Sequence, residues 1–152
     1  MFAGSRWMMV AVLAIAAGCT RTPASSEDAA PAVNTTEPML KSTYWKLIAL
    51  GETLVLTPGG QREAHLILSD TSNQVSGSGG CNRMFATYTL NGDALTFGEV
   101  GATKMACPGA METENAFLPA LGRVARWRIS GQRLELLDSA GAVVARFDAK
   151  AG

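Results

Sequence analysis

Arg126 to Lys150 reads RWRISGQRLELLDSAGAVVARFDAK, and the phase of its apolar residues decides the fold class. Trp127 and Ile129 fall on one side of the first segment, with Arg126 and Arg128 on the other. From Arg133 to Leu136 charge alternates with leucine, and Val143, Ala145 and Phe147 fall opposite Arg146 and Asp148. Successive side chains of a strand point to opposite faces, so this alternation marks half-buried strands. Ser130-Gly131 and Ala140-Gly141 interrupt it with turn residues, which predicts antiparallel strands joined by tight turns.

The same pattern extends toward the N-terminus. Trp45, Leu47 and Ala49 share one face of Tyr44 to Leu50, and Ala64, Leu66 and Leu68 share another. Pro58-Gly59-Gly60 and Asn91-Gly92-Asp93 punctuate the run; Asn91-Gly92 is the strongest hairpin cue, since a tight hairpin needs positive φ at its centre. Met111 to about Val124 breaks the period of two. There Phe117, Leu118, Leu121 and Val124 lie on one helical face, and Glu112 and Glu114 sit in the first turn, where the helix dipole favours acid. Pro119 is an awkward interior residue that would kink this helix or delay its start. The expectation is a β-rich, mainly antiparallel domain over residues 44–150: a barrel-like curved sheet of about eight short strands with one helix near 111–124. Trp45, Trp127, Phe85, Phe97, Phe117 and Phe147 are available to fill its interior.

The chain has 152 residues, 13 basic and 13 acidic, so there is room for one ordinary domain plus extra segments. Residues 1–18 read as a secretory leader: Arg6, an apolar run from Trp7 to Ala17 that is short for a bilayer span, then small residues. The string Ala16-Ala17-Gly18-Cys19 resembles a bacterial lipobox, with Ala16 where leucine is usual, and implies that Cys19 receives diacylglycerol and palmitate-like N-acyl chains. Residues 19–43, rich in Pro, Ser, Thr, Ala and acid, read as a disordered tether reaching roughly 25–30 Å from the membrane. Thr20 is not the aspartate that commonly retains such proteins in the inner membrane, so the expected location is the outer membrane, facing the periplasm. The basic residues are scattered, which argues against nucleic acid.

Gly77 to Asn82 reads GSGGCN, followed by Met84 and Tyr88; Thr103 to Cys107 reads TKMAC; Glu114, Phe117 and Leu121 come after. With Trp45 and Leu47 before them, these residues resemble the META domain of HslJ-like bacterial envelope proteins. Ala86 stands where the pattern G-C-N-x-x-x-G-x-Y has glycine. The resemblance implies a β-rich, barrel-like fold, a lipoprotein or periplasmic setting and an association with heat shock, motility or antibiotic tolerance, without an established reaction.

Read from their chemistry, Gly77, Gly79 and Gly80 suit a bulge or tight turn where side chains would collide. The Lys-Ser/Thr and helix that complete a phosphate loop do not follow them. Asn82 suits a turn whose neighbouring amides it can bond, and Trp45 and Tyr88 suit half-buried anchors. Thr103, Met105 and Glu114 complete the motif set, which is read as structural. Once Cys19 is acylated, Cys81 and Cys107 form an even pair in an oxidising compartment; they are a disulfide or two buried thiols. His65 is the one histidine, so neither a metal centre nor an acyl-transfer dyad with Ser76 or Ser78 is expected, and no cofactor is implied. Glu112 and Glu114 diverge on a helix. The functional expectation is a non-enzymatic, membrane-tethered stress-protection or protein-binding module. The alternatives are a carrier of small apolar ligands or an inhibitor of an envelope-targeting enzyme.

Overall fold

The computed structural model describes residues 38–150; the leader, Cys19 and most of the expected tether lie outside the described residues. Ten strands and a helix follow in order: β1 (Tyr44–Leu50), β2 (Thr53–Leu54), β3 (His65–Leu68), β4 (Gln74–Ser78), β5 (Arg83–Asn91), β6 (Ala94–Phe97), β7 (Gly101–Ala102), α1 (Met111–Leu121), β8 (Arg126–Ser130), β9 (Arg133–Leu137) and β10 (Val143–Lys150). Eight of them, β1, β3, β4, β5, β6, β8, β9 and β10, pair antiparallel in that sequence, and β10 returns to β1, with Tyr44 opposite Lys150. The ring is therefore a closed barrel of the expected strand number, with β2 appended to β1 and β7 to β5. Closure leaves the ring without a free edge, and eight strands give an interior just wide enough for side chains to fill.

The apolar alternation in the sequence is what fills it. Trp45, Leu66, Leu95, Leu134, Leu136 and Phe147 are all fully buried in one cluster. Two bulges, between Leu47 and Ala49 on β1 and between Val143 and Ala145 on β10, bend the sheet where it closes. The second corrects the expected register: Val144 turns inward beside Ala145, and Val143 is left half-buried. Phe85 is a further correction. Met84, Ala86 and Tyr88 take the inward phase of β5, so Phe85 points out, 59% exposed, over Gly101, where a Cβ would strike its ring.

The hairpin between β5 and β6 turns at Gly92 and Asp93, with positive φ at Gly92 alone. Helix α1 begins at Met111 as its pattern predicts and ends at Leu121, short of Val124; Arg123 and Val124 close it with amide bonds to the Ala120 and Leu121 carbonyls. Pro119 is accommodated because the carbonyl it deprives belongs to exposed Asn115. Phe117 and Leu121 enter the barrel core, the Phe117 ring 5.9 Å from that of Phe147. The folded part also starts before the expected boundary at residue 44: Leu40 is buried, its carbonyl accepts the Trp45 Nε1–H at 2.9 Å, and the Ser42 amide donates to Leu68.

These connections give the barrel two distinct ends. The chain enters beside Leu68 and Tyr44, near the 69–73 and 91–94 turns. Strand β4 runs away from that end, so the 79–82 connection between Ser78 and Arg83 lies at the opposite one.

Candidate functional site

At this far end the two motifs meet. The Asn82 side chain is 1% exposed and uses every hydrogen-bonding position of its amide. Its Oδ1 accepts the Met105 N–H at 2.7 Å and the Thr103 hydroxyl at 2.9 Å. Its Nδ2–H groups donate to Glu114 Oε1 at 2.7 Å and to the Met105 carbonyl at 3.2 Å. The Asn82 backbone N–H donates to Glu114 Oε2 at 2.6 Å, so both oxygens of this buried carboxylate are held. One residue thus ties the 79–82 turn to the 103–107 segment and to the first turn of α1. This corrects the expectation that the Asn82 side chain bonds the neighbouring amides of its turn.

Each motif glycine has a separate reason. A Cβ at Gly77 would run into the His65 carbonyl across the β3–β4 ladder. At Gly79 it would sit 2.5 Å from Glu114 Cγ, so the carboxylate can reach Asn82 only past a glycine. Gly80 takes φ 109°, in the region side chains avoid, and its N–H donates to the buried Ser78 hydroxyl oxygen. Beside them Cys81 and Cys107 are bonded, with Cα atoms 5.7 Å apart, which settles the choice left open between a disulfide and free thiols. Closing 26 residues of chain contributes about 3.5 kcal/mol in the loop-entropy account.

Trp45 and Tyr88 are not part of this clasp. Both are fully buried rather than half-buried, and the Tyr88 hydroxyl donates to the Ser69 carbonyl at the entry end. Met105 contributes its backbone to the clasp while its side chain stands 53% exposed. Glu112 is exposed while Glu114 is buried, the divergence expected of their spacing. His65 lies on the outer wall, stacked on Tyr44 with ring centroids 4.3 Å apart, its Nδ1 3.0 Å from the Glu63 carbonyl. Among the described residues every buried side-chain nitrogen or oxygen has a partner.

Two features were not anticipated from the sequence. Glu63 is held by Lys46 at 2.9 Å and Lys150 at 3.0 Å across the β1–β10 closure, and their charge-assisted hydrogen bonds lower its carboxyl to about 2. Tyr44 leans on the same carboxylate. The second is a surface groove over the clasp, lined by Gly60, Gln61, Arg62, Gly80, Met105 and Ala110, with Gln61 Nε2 donating to the Pro108 carbonyl. Both depend on contacts between segments distant in the chain, which leave no local pattern.

The family model of the META domain matches residues 38–151, from the buried entry segment through the last strand. The chain belongs to the META domain family. The barrel and the clasp at its far end are therefore those of a META domain. It is similar to the NMR structure of a protein from Burkholderia xenovorans, 30% identical, with a TM-score of 0.61 over 74% of this chain and 85% of that one. A second NMR structure, 19% identical, shares the fold with a TM-score of 0.54 over 70% of this chain and 87% of that one. Comparison with curated proteins found no match.

Proposed function

We propose that this META domain is a non-catalytic envelope module, tethered to the membrane through acylated Cys19 and presenting its clasp end to an envelope protein. The observation that carries the reading is the polarity of the barrel. The described chain enters at one end, and the clasp, with exposed Met105 over its groove, lies at the other. A tether attached before residue 38 then leaves the clasp end free to meet a partner in the periplasm. The saturated hydrogen bonds of Asn82 and Glu114 support a structural use of the motif over a catalytic one. A barrel interior filled by Trp45, Phe117 and Phe147 supports a binding surface over an apolar-ligand carrier. An HslJ-like role in stress protection, or inhibition of an envelope-targeting enzyme, would be exercised through the same surface.

The test places a photo-cross-linking residue at Met105 or at Asp70, on the entry end, in the full chain expressed in its own envelope. Palmitate labelling follows with and without Cys19→Ser. The expected result is a discrete adduct from position 105, none from position 70, and label lost with Cys19. Equal adducts from both positions would overturn the binding reading; label that persists in Cys19→Ser would overturn the anchor.

A further inference from the structure

Between the exposed Glu52 and Gln61 the chain carries no charge, and its first five residues, Thr53-Leu54-Val55-Leu56-Thr57, read the same in both directions. This segment lies at the rim of the barrel, outside the closed ring. Thr53 and Leu54 pair with Leu50 and Ala49 of β1, and the Val55 N–H continues the ladder to the Ile48 carbonyl at 2.9 Å. A strand directs alternate backbone groups to opposite sides, so with Thr53 and the Val55 N–H facing β1, the N–H and C=O of Leu54 face away, and Leu56 follows two residues past the end of β2. No strand among the described residues pairs that outer side. Leu54 and Leu56 share one face and are 73% and 81% exposed.

We infer that this edge pairs with the same edge of a second copy of the chain, antiparallel about a two-fold axis through Val55. The palindrome makes the contact self-complementary, as a two-fold interface requires. Leu54 of one copy falls opposite Leu56 of the other at both hydrogen-bonded positions. Thr53 falls opposite Thr57, and the two Val55 residues meet at the close, non-hydrogen-bonded position. Glu52 falls opposite Pro58, so no like charges meet. An uncharged, apolar, unpaired edge is a template for another strand, and here the matching strand is its own. Five residues a side bury far less than the roughly 800 Å² per partner of a standard interface, so the pairing is weak and shows at high local concentration.

The register supplies the test. In the full chain, Leu54→Cys and Leu56→Cys variants are oxidised at millimolar concentration, each alone and mixed in equal amounts. Opposite hydrogen-bonded residues have Cα atoms about 5.5 Å apart, within disulfide reach, whereas the offset of identical residues lies beyond it. The expected result is an intermolecular disulfide in the mixture and its loss in either variant alone. Adding Leu54→Lys to the Leu56→Cys copy should also remove it from the mixture. Both positions are exposed, so folding is retained, as the melting curve of each variant will report. No cross-link in the mixture, or equal cross-linking in all three samples, would overturn the inference. So would preferential linkage, in the envelope, to a protein other than this chain.

Discussion

Replacing Asn82 by alanine should be among the most damaging single changes in this domain, and its size follows from what the side chain leaves behind. Asn82→Ala removes four hydrogen bonds, to Met105 N–H, Met105 C=O, the Thr103 hydroxyl and Glu114 Oε1. The Thr103 hydroxyl can turn to another acceptor, and Glu114 keeps the Asn82 backbone N–H on its other oxygen. The Met105 amide and Glu114 Oε1 are left without these donors and acceptors in a part-buried to buried setting. At about 1–3 kcal/mol for each of these two groups, the cost is about 2–6 kcal/mol. For a domain of this size that lowers the melting temperature by roughly 8–25 °C. Turn geometry alone would cost much less, because the left-handed residue in the turn is Gly80 and not Asn82. Circular dichroism melts of the full chain measure it, with Asn82→Asp as companion: that variant sets a second carboxylate against Glu114, so it should be weakest at neutral pH and recover on acidification, as one of the pair takes a proton. A melting temperature for Asn82→Ala within a degree or two of the parent would show that these side-chain bonds do not hold the domain together.

Glu63→Gln should flatten the acid limb of stability. The Glu63 carboxyl is lowered to about 2 by Lys46 and Lys150, so its contribution is complete above the unfolded value near 4.3 and is lost as pH falls from there toward 2; urea midpoints across that range read it out. Gly79→Ala should destabilise by about 1–3 kcal/mol through collision with the pinned Glu114 chain, whereas Gly59→Ala, where a Cβ meets open space, should stay within about 0.5 kcal/mol; paired chemical denaturation curves compare them. Cys107→Ser should cost about 3.5 kcal/mol, and dithiothreitol should lower the parent to the level of the variant.

Much of the barrel is legible in the sequence because apolar alternation is a local signal. The phases of Tyr44 to Leu50 and Arg133 to Leu136 are the ones that face the core. Val143 and Phe85 depart from the expected phase for a shared reason, which lies in their neighbours: a bulge shifts β10 by one residue, and Met84 and Ala86 claim the inward side of β5. The clasp was half legible. GSGGCN and TKMAC announce a turn and a cysteine pair, but nothing local says that Asn82 reaches Glu114, 32 residues on, or that Gly79 is there to let the carboxylate pass. Leu40 falls within the expected tether because one apolar residue among Pro, Thr and Lys shows no period, although it is buried and its carbonyl accepts the Trp45 Nε1–H.

If the Asn82 clasp is a closed structural tie and not an open site, amide hydrogen exchange will show it. Resolved by NMR, the Met105 and Asn82 backbone N–H groups and the Asn82 side-chain amide should exchange only as fast as the whole domain unfolds, in step with the barrel amides of Leu66 and Leu134. Exchange of the Asn82 and Met105 groups orders of magnitude faster than those barrel amides would contradict the account, because it would mean that the clasp opens in the native state to receive something else.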